Sequence, residues 1–166
     1  VRVNAEAKDS FSVAKEIAKV AQDGGYDLIL TGKESIDYNG GAVPGMVAQL
    51  LNIPFVNASV GLDVNGSEAT VVREIEGGKE TISVKLPAVV AGQKGLVDEK
   101  DLIIPNMRGI MSARTKPLQV VEPSNSEVKV EAVSFDSVAP RAAVKLVSAD
   151  NLDELVRLLH EEAKVI

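Results

Sequence analysis

Between positions 26 and 51 the chain reads YDLILTGKESIDYNGGAVPGMVAQLL. A short apolar run gives way to a stretch in which Gly32, Asp37, Asn39, Gly40, Gly41, Pro44 and Gly45 offer little side chain, and a helical pattern comes next. Apolar strand, glycine loop and helix in that order are the working unit of an α/β sheet. Glycine at such a junction lets backbone N–H groups approach a ligand with no Cβ in between. Phosphate over a helix N-terminus is the ligand such turns often take. A tight structural turn explains the same residues, because Gly, Asn and Pro also punctuate ordinary loops. The stretch matches neither GxGxxG nor the P-loop pattern, so both readings stay open on spacing alone.

The flanking sequence extends the pattern. VRVNAEA alternates like a strand, and DSFSVAKEIAKVAQDGG places Val13, Ile17, Val20 and Ala21 on one helical face. Ser10 or Ser12 is expected to cap that helix and Gly24–Gly25 to end it. The helix at 43–51 takes Pro44 in its first turn, and IPFVNASV supplies another strand. This β-α-β-α-β order predicts a parallel, right-handed sheet. Asn65–Gly66 and Gly77–Gly78 then separate alternating runs, the pattern of an antiparallel meander extending one edge. LIIPNMRGIMSARTKPLQVVEP reads as a loop, a short helix and a strand, and the residues after it as an arm with one strand in its middle. Leu152, Leu155, Val156 and Leu159 form the stripe of a closing helix, with Asp150 or Ser148 as its cap.

The expected class is α/β, Rossmann-like, with a mostly parallel sheet, an antiparallel extension and a C-terminal arm plus helix. Residues 1–122 are expected to form a nucleotide-binding α/β domain, and 123–166 the arm and helix. The chain opens on Val1 rather than Met, already in strand pattern, which reads as an entry in mid-fold with earlier strands missing.

Composition removes several functions. With no cysteine there are no disulfides, thiolate metal sites or cysteine nucleophile, and a single histidine argues against a zinc site. A net charge of -6 with no Trp, two Tyr and three Phe argues against nucleic acid as a partner. No apolar run reaches membrane-spanning length, so direct membrane insertion is not expected. No catalytic set is discernible: His160 sits beside Glu161 and Glu162 on the closing helix, where a solvated position is the simple reading. Glu74 and Glu76 flank Ile75 in a strand pattern and share a face. Two exposed carboxylates is one reading, and a pairing with arginine across an interface is the other. Ile110, Met111, Arg114 and Lys116 lie in one short segment that fits either a surface helix or a transient docking site.

DLILTGKESID, REIEGGKETISVKLPAVVAG, IIPN and IMSARTKPL together resemble the β subunit of electron transfer flavoprotein, from about position 12 to the end. The middle stretch is the most specific of these. The resemblance implies an adenine nucleotide α-hydrolase-like fold and an obligate electron transfer flavoprotein α subunit that holds most of the FAD. It further implies a structural AMP in the β subunit. Electrons would pass from acyl-CoA and related dehydrogenases, met transiently, to a quinone reductase, in a bacterial cytoplasm or a mitochondrial matrix. The subunit would carry no catalytic residues of its own.

On the same footing, the AMP loop maps to Asp37, Asn39, Gly40, Gly41, Ala42, Val43 and Gly45. Family members often carry Asn-Gln-Thr where this chain has Gly41-Ala42-Val43, so recognition here falls to backbone N–H groups. Glu74 maps near the flavin of the α subunit. The dehydrogenase-docking loop maps to Ile104, Pro105, Ile110, Met111 and Arg114, with Ile104 or Ile110 as apolar anchor. The closing helix is expected to lay its leucine stripe on the α subunit. Two alternatives remain: a bifurcating β subunit with a second FAD in the same loop, and a stand-alone adenine-nucleotide-binding protein.

Overall fold

A computed structural model describes every residue except Ala7, Asn125 and Ala142. The chain divides into two compact units, Val1–Glu131 and Ala132–Ile166.

In the first unit, strands β2 (Leu28–Gly32), β3 (Phe55–Asn65), β4 (Glu68–Ile75), β5 (Gly78–Lys85) and β6 (Ala88–Gly92) form one sheet in the order β2-β6-β3-β4-β5. β2, β6 and β3 run parallel, while β4 and β5 continue antiparallel as the expected meander. Its two tight turns rest on Gly66 and Gly77, whose φ values of 60 and 84 suit glycine and few other residues. The meander's return strand β6 does not stay at the edge: it inserts between β2 and β3. β6 accordingly has the apolar sequence of a strand buried on both faces, Ala88 to Ala91 being fully covered.

β1 departs from expectation. It spans only Arg2–Val3 and pairs in parallel with β7 (Val120–Val121) as a separate two-stranded ribbon, so the first strand does not join the main sheet. Alternation specifies a strand but not its neighbour.

Helix α1 (Ser10–Gly24) also turns differently from its stripe. Its buried apolar side chains are Ala14, Ala18 and Ala21, whereas Val13, Ile17 and Val20 are only partly covered. Alanine wins because α1 packs against α2 (Val43–Leu51), and small side chains let the two helices approach. Ala14 meets Val47, Ala48 and Val89 in one core cluster, and Val56, Val71, Val84 and Val90 centre the other. The α1 cap is Asp9 rather than Ser10 or Ser12. Ser12 N–H donates to Asp9 Oδ1 at 2.8 Å while Asp9 N–H donates to Ser12 Oγ at 3.2 Å, a reciprocal capping box.

Hydrogen bonds from the Ser12 hydroxyl and then the Ser12 N–H, with further ones from the Lys129 and Val130 N–H groups, hold the Asp9 carboxyl far below its usual range. A depressed value stabilises the folded chain above the unfolded-state value and fades as pH falls toward the folded one. The melting-temperature advantage of wild type over Asp9→Ala should therefore be constant near neutrality. It should shrink once pH drops below the ordinary aspartate value of 3.8. Thermal melts across that range check it; an advantage that grows in acid contradicts it.

The second unit holds α4 (Leu152–Arg157), which continues as a π-helical turn, Leu158–Glu162. Asn151 caps it, its Oδ1 accepting from Glu154 N–H, rather than Asp150 or Ser148. Of its apolar residues Leu158 is the buried one, while Leu152, Leu155 and Val156 are exposed. Arg157 pairs with Glu154 at 2.9 Å and Glu161 at 3.1 Å. No strand occurs among the described residues between Glu122 and Asn151, so the arm lacks its expected strand. EVKVEAV supplies the alternation, but a strand also needs a partner for its backbone groups.

Candidate functional site

The sheet register lines up one row of residues across all five strands. Gly32 pairs with Gly92, Gly92 with Ser59, Ser59 with Arg73 and Arg73 with Glu80. The row marks the carboxyl ends of β2 and β6, the side of an open α/β sheet where ligands bind. Both strands end in glycine there. β3 is kinked just before the row, with Ala58 at a φ of 53 and a register shift between Val56 and Ser59. Two hydroxyls near the row, Thr31 Oγ1 and Ser59 Oγ, are buried without a hydrogen-bond partner among the described residues.

The glycine loop leaves the row at Gly32. Lys33 N–H donates to Gly92 O at 3.0 Å, fastening its first residue to β6. Ser35 organises the turn beyond it: the Ser35 N–H donates to Gly40 O at 3.0 Å, and the Ser35 Oγ accepts from Gly40 N–H at 3.3 Å. The Ser35 hydroxyl, followed by Tyr38 N–H, also holds the Asp37 carboxyl below its usual value, so Asp37 is an anion near neutrality. Asn39 occupies the left-handed region at a φ of 51, a conformation asparagine tolerates better than most residues. Ile36, at 99% exposed, and Tyr38 project into solvent.

Ala42 then occupies the N-cap of α2 without a side-chain cap, and Pro44 falls in the first turn. Among the described residues no hydrogen bond engages the N–H groups of Gly41, Ala42, Val43 or Gly45. A nine-residue helix thus presents uncapped donors and the positive end of its dipole at the carboxyl edge of the sheet. Asp37 through Ala42 form one loop that runs into the first turn of α2, which holds Val43 and Gly45. Ser35, its organiser, is not among the residues the sequence singles out, although a serine just ahead of an Asp-containing turn is a usable signal.

Glu74 lies at the far side of the row, one residue past Arg73, and its carboxylate hydrogen-bonds the Gln93 side-chain amide. Gln93 N–H in turn donates to Ser59 O at 2.9 Å. Glu74 is exposed, and Glu76 falls in the turn after β4 rather than in a strand. The neighbouring Arg73 is paired with Glu80 at 2.7 Å.

A separate segment carries Ile104, Pro105, Ile110, Met111 and Arg114. Every residue from Val97 to Val120 is exposed. Helix α3 (Met107–Ala113) is capped by Asn106, whose Oδ1 accepts from Gly109 N–H at 2.8 Å. Ile103 is 96% exposed and Ile104 77%, and Leu102 and Met107 are open as well. Sequence pattern alone does not single out Leu102, Ile103 and Met107. His160 is exposed on the second unit with Nδ1 2.9 Å from Ile166 O. Among the described residues no cluster of His, Asp and Glu is arranged to hold a metal, and no helix is long and apolar enough to cross a membrane.

An open α/β sheet with a glycine-rich strand-to-helix loop at its carboxyl edge defines the class. A model of the electron transfer flavoprotein domain matches residues 2–126. Electron transfer flavoprotein subunit beta of Bacillus subtilis (strain 168) is 34% identical over 168 residues, covering 95% of this chain and 64% of that protein. The subunit of the same name from Syntrophomonas wolfei is 33% identical, covering 82% of this chain and 53% of its own. The human one is 32% identical over 97% of this chain and 63% of its own. This chain belongs to the electron transfer flavoprotein domain family. It spans less than two thirds of the length of these relatives.

Proposed function

We propose that this chain serves as the nucleotide-holding and docking portion of an electron transfer flavoprotein beta subunit, without catalytic residues of its own. The observation that carries the reading is the uncapped start of α2 behind Gly40 and Gly41 at the carboxyl edge of the sheet. The phosphate of AMP would take the free N–H groups of Gly41, Ala42, Val43 and Gly45, with Asn39 and the ionised Asp37 at the rim. These residues fit a phosphate because they offer donors without side chains, and the family match supports the assignment. Glu74, one residue beyond that row on β4, would lie near FAD held mainly by an alpha subunit; bound FAD supplies the electron-carrying chemistry.

The exposed apolar segment from Leu102 to Met111 would dock acyl-CoA or related dehydrogenases, and electrons would leave for a quinone reductase. Such a shuttle needs small, quickly released contacts, which a few projecting Ile and Met side chains provide. The Ala132–Ile166 unit, with Val133, Phe135, Val138, Val144 and Leu146 all exposed, would lie on the alpha subunit.

Nucleotide content tests the reading. The chain is co-purified with an electron transfer flavoprotein alpha subunit, denatured, and its released AMP and FAD are quantified. One AMP and one FAD per pair is the expected result. Two FAD and no AMP would assign the loop to a second flavin, as in a bifurcating subunit. Neither nucleotide nor partner would replace the reading with a stand-alone protein.

A point substitution sharpens it. Gly41→Val should weaken AMP binding by at least about tenfold, because a branched side chain would stand where the phosphate approaches. The melting temperature should barely move, since Gly41 is exposed and a Cβ there meets only Lys33 O at 3.4 Å. Unchanged AMP affinity in titration calorimetry would remove Gly41 from the site.

A further inference from the structure

The stretch after β7 is tied back to α1 at two points. Glu16 accepts from Ser124 twice, the N–H at 2.8 Å and the hydroxyl at 2.6 Å from Oε1. Asp9 Oδ2 accepts from the N–H groups of Lys129 at 2.7 Å and Val130 at 3.1 Å. One oxygen of Asp9 therefore caps its own helix, while the other holds backbone 120 residues further along the chain. Lys129 Nζ also lies 5.8 Å from the centre of the Phe11 ring on α1, with Lys15 Nζ at 5.9 Å.

Among the described residues no other hydrogen bond ties this stretch to the rest of the chain. Residues 122–124 and 126–130 belong to no ladder, and none of them is buried. Beside α1 lies a cavity of about 540 Å³, with Val3, Val13, Ile17 and Val20 on its apolar side and Pro123 and Ser126 at the strap. Segments with exposed hydrogen bonds and few buried contacts open locally at far lower free energy than core strands. The chain enters its second unit at Ala132, two residues after Val130, the last residue Asp9 holds.

We propose that residues 122–124 and 126–130 form a strap that opens from α1 as one piece beside the cavity, latched by Asp9 and Glu16. Opening it leaves α1, α2 and the sheet intact and lengthens the free chain ahead of the second unit. Glu16 thus serves as a catch alone, while Asp9 divides its two oxygens between the cap of α1 and the strap.

Amide hydrogen exchange on the full chain tests this. Asp9→Ser keeps a capping oxygen for Ser12 N–H but withdraws the oxygen that holds Lys129 and Val130. Glu16→Ala removes the second catch while leaving a good helix former in α1. In the double variant, exchange at Ser124, Lys129 and Val130 should rise at least about tenfold, with Val89 and Val90 unchanged. Asp9→Ser alone should also speed Ser124, because the strap moves as a unit. Strap rates equal to wild type, a rise matched by the core amides, or a single-variant effect confined to Lys129 and Val130 would each overturn the proposal.

Discussion

Val89→Asp should abolish the cooperative fold of the first unit. Val89 is fully buried in β6, the strand between β2 and β3, and it faces Ala14, Val47 and Ala48. A carboxylate there would have neither water nor a cation, and an isolated buried charge costs several kcal/mol even after the group neutralises itself by taking up a proton. Domains of this size have only about 5–15 kcal/mol to lose. Urea titration followed by circular dichroism should show no native baseline for Val89→Asp, and for Val89→Ala a loss of about 2 kcal/mol. Val133→Asp is the control, because Val133 is 95% exposed and a surface change should stay within about 0.5 kcal/mol. A Val89→Asp chain that melts like wild type would mean that β6 does not occupy the middle of the sheet.

The second large effect concerns rate rather than stability. Ile103→Asp with Ile104→Asp should slow reduction of the reconstituted flavoprotein by a dehydrogenase at least about 30-fold. That factor corresponds to losing a docking hot spot of about 2 kcal/mol. The melting temperature should not change, because both side chains already stand in solvent. Stopped-flow reduction with increasing dehydrogenase separates the outcomes. A slowing relieved at high partner concentration locates the defect in docking. An unchanged rate removes these isoleucines from the interface.

Sequence shows some parts of this molecule well, and the reason is physical. The α1, β2, α2 and β3 elements follow from local periodicity, and the meander turns from Asn65–Gly66 and Gly77–Gly78, all short-range signals. What alternation and stripes do not carry is the identity of a neighbour. The meander is visible in the sequence, but the move of its last strand to the centre of the sheet is not. The same limit hides the pairing of β1 with β7 and, among the described residues, the lack of a strand partner for the arm. On α1 the larger side chains mark a stripe, while the alanines take the core because the distance to α2 decides the contact.

At the site, the glycine loop is legible because glycine and proline act on their own backbone. Gln93 is not, since its role depends on where Glu74 comes to lie, and Ser35 leaves only the local hint of a serine ahead of an Asp-containing turn. Ile103 escapes notice beside Ile104 because sequence alone does not say that two adjacent isoleucines both stand in solvent.

The place of β6 has one more consequence, for the order in which the chain is made. In the sheet β2 and β3 are joined through β6, yet β6 is the last of the five sheet strands to be synthesised. While a nascent chain ends before Ala88, the β3–β4–β5 hairpins can close on their own local contacts, but β2 has no ladder to join. Five residues arriving late join a lone strand to a three-stranded sheet. Until they emerge from the ribosome, the apolar edges of β2 and β3 stand open to any other strand in reach.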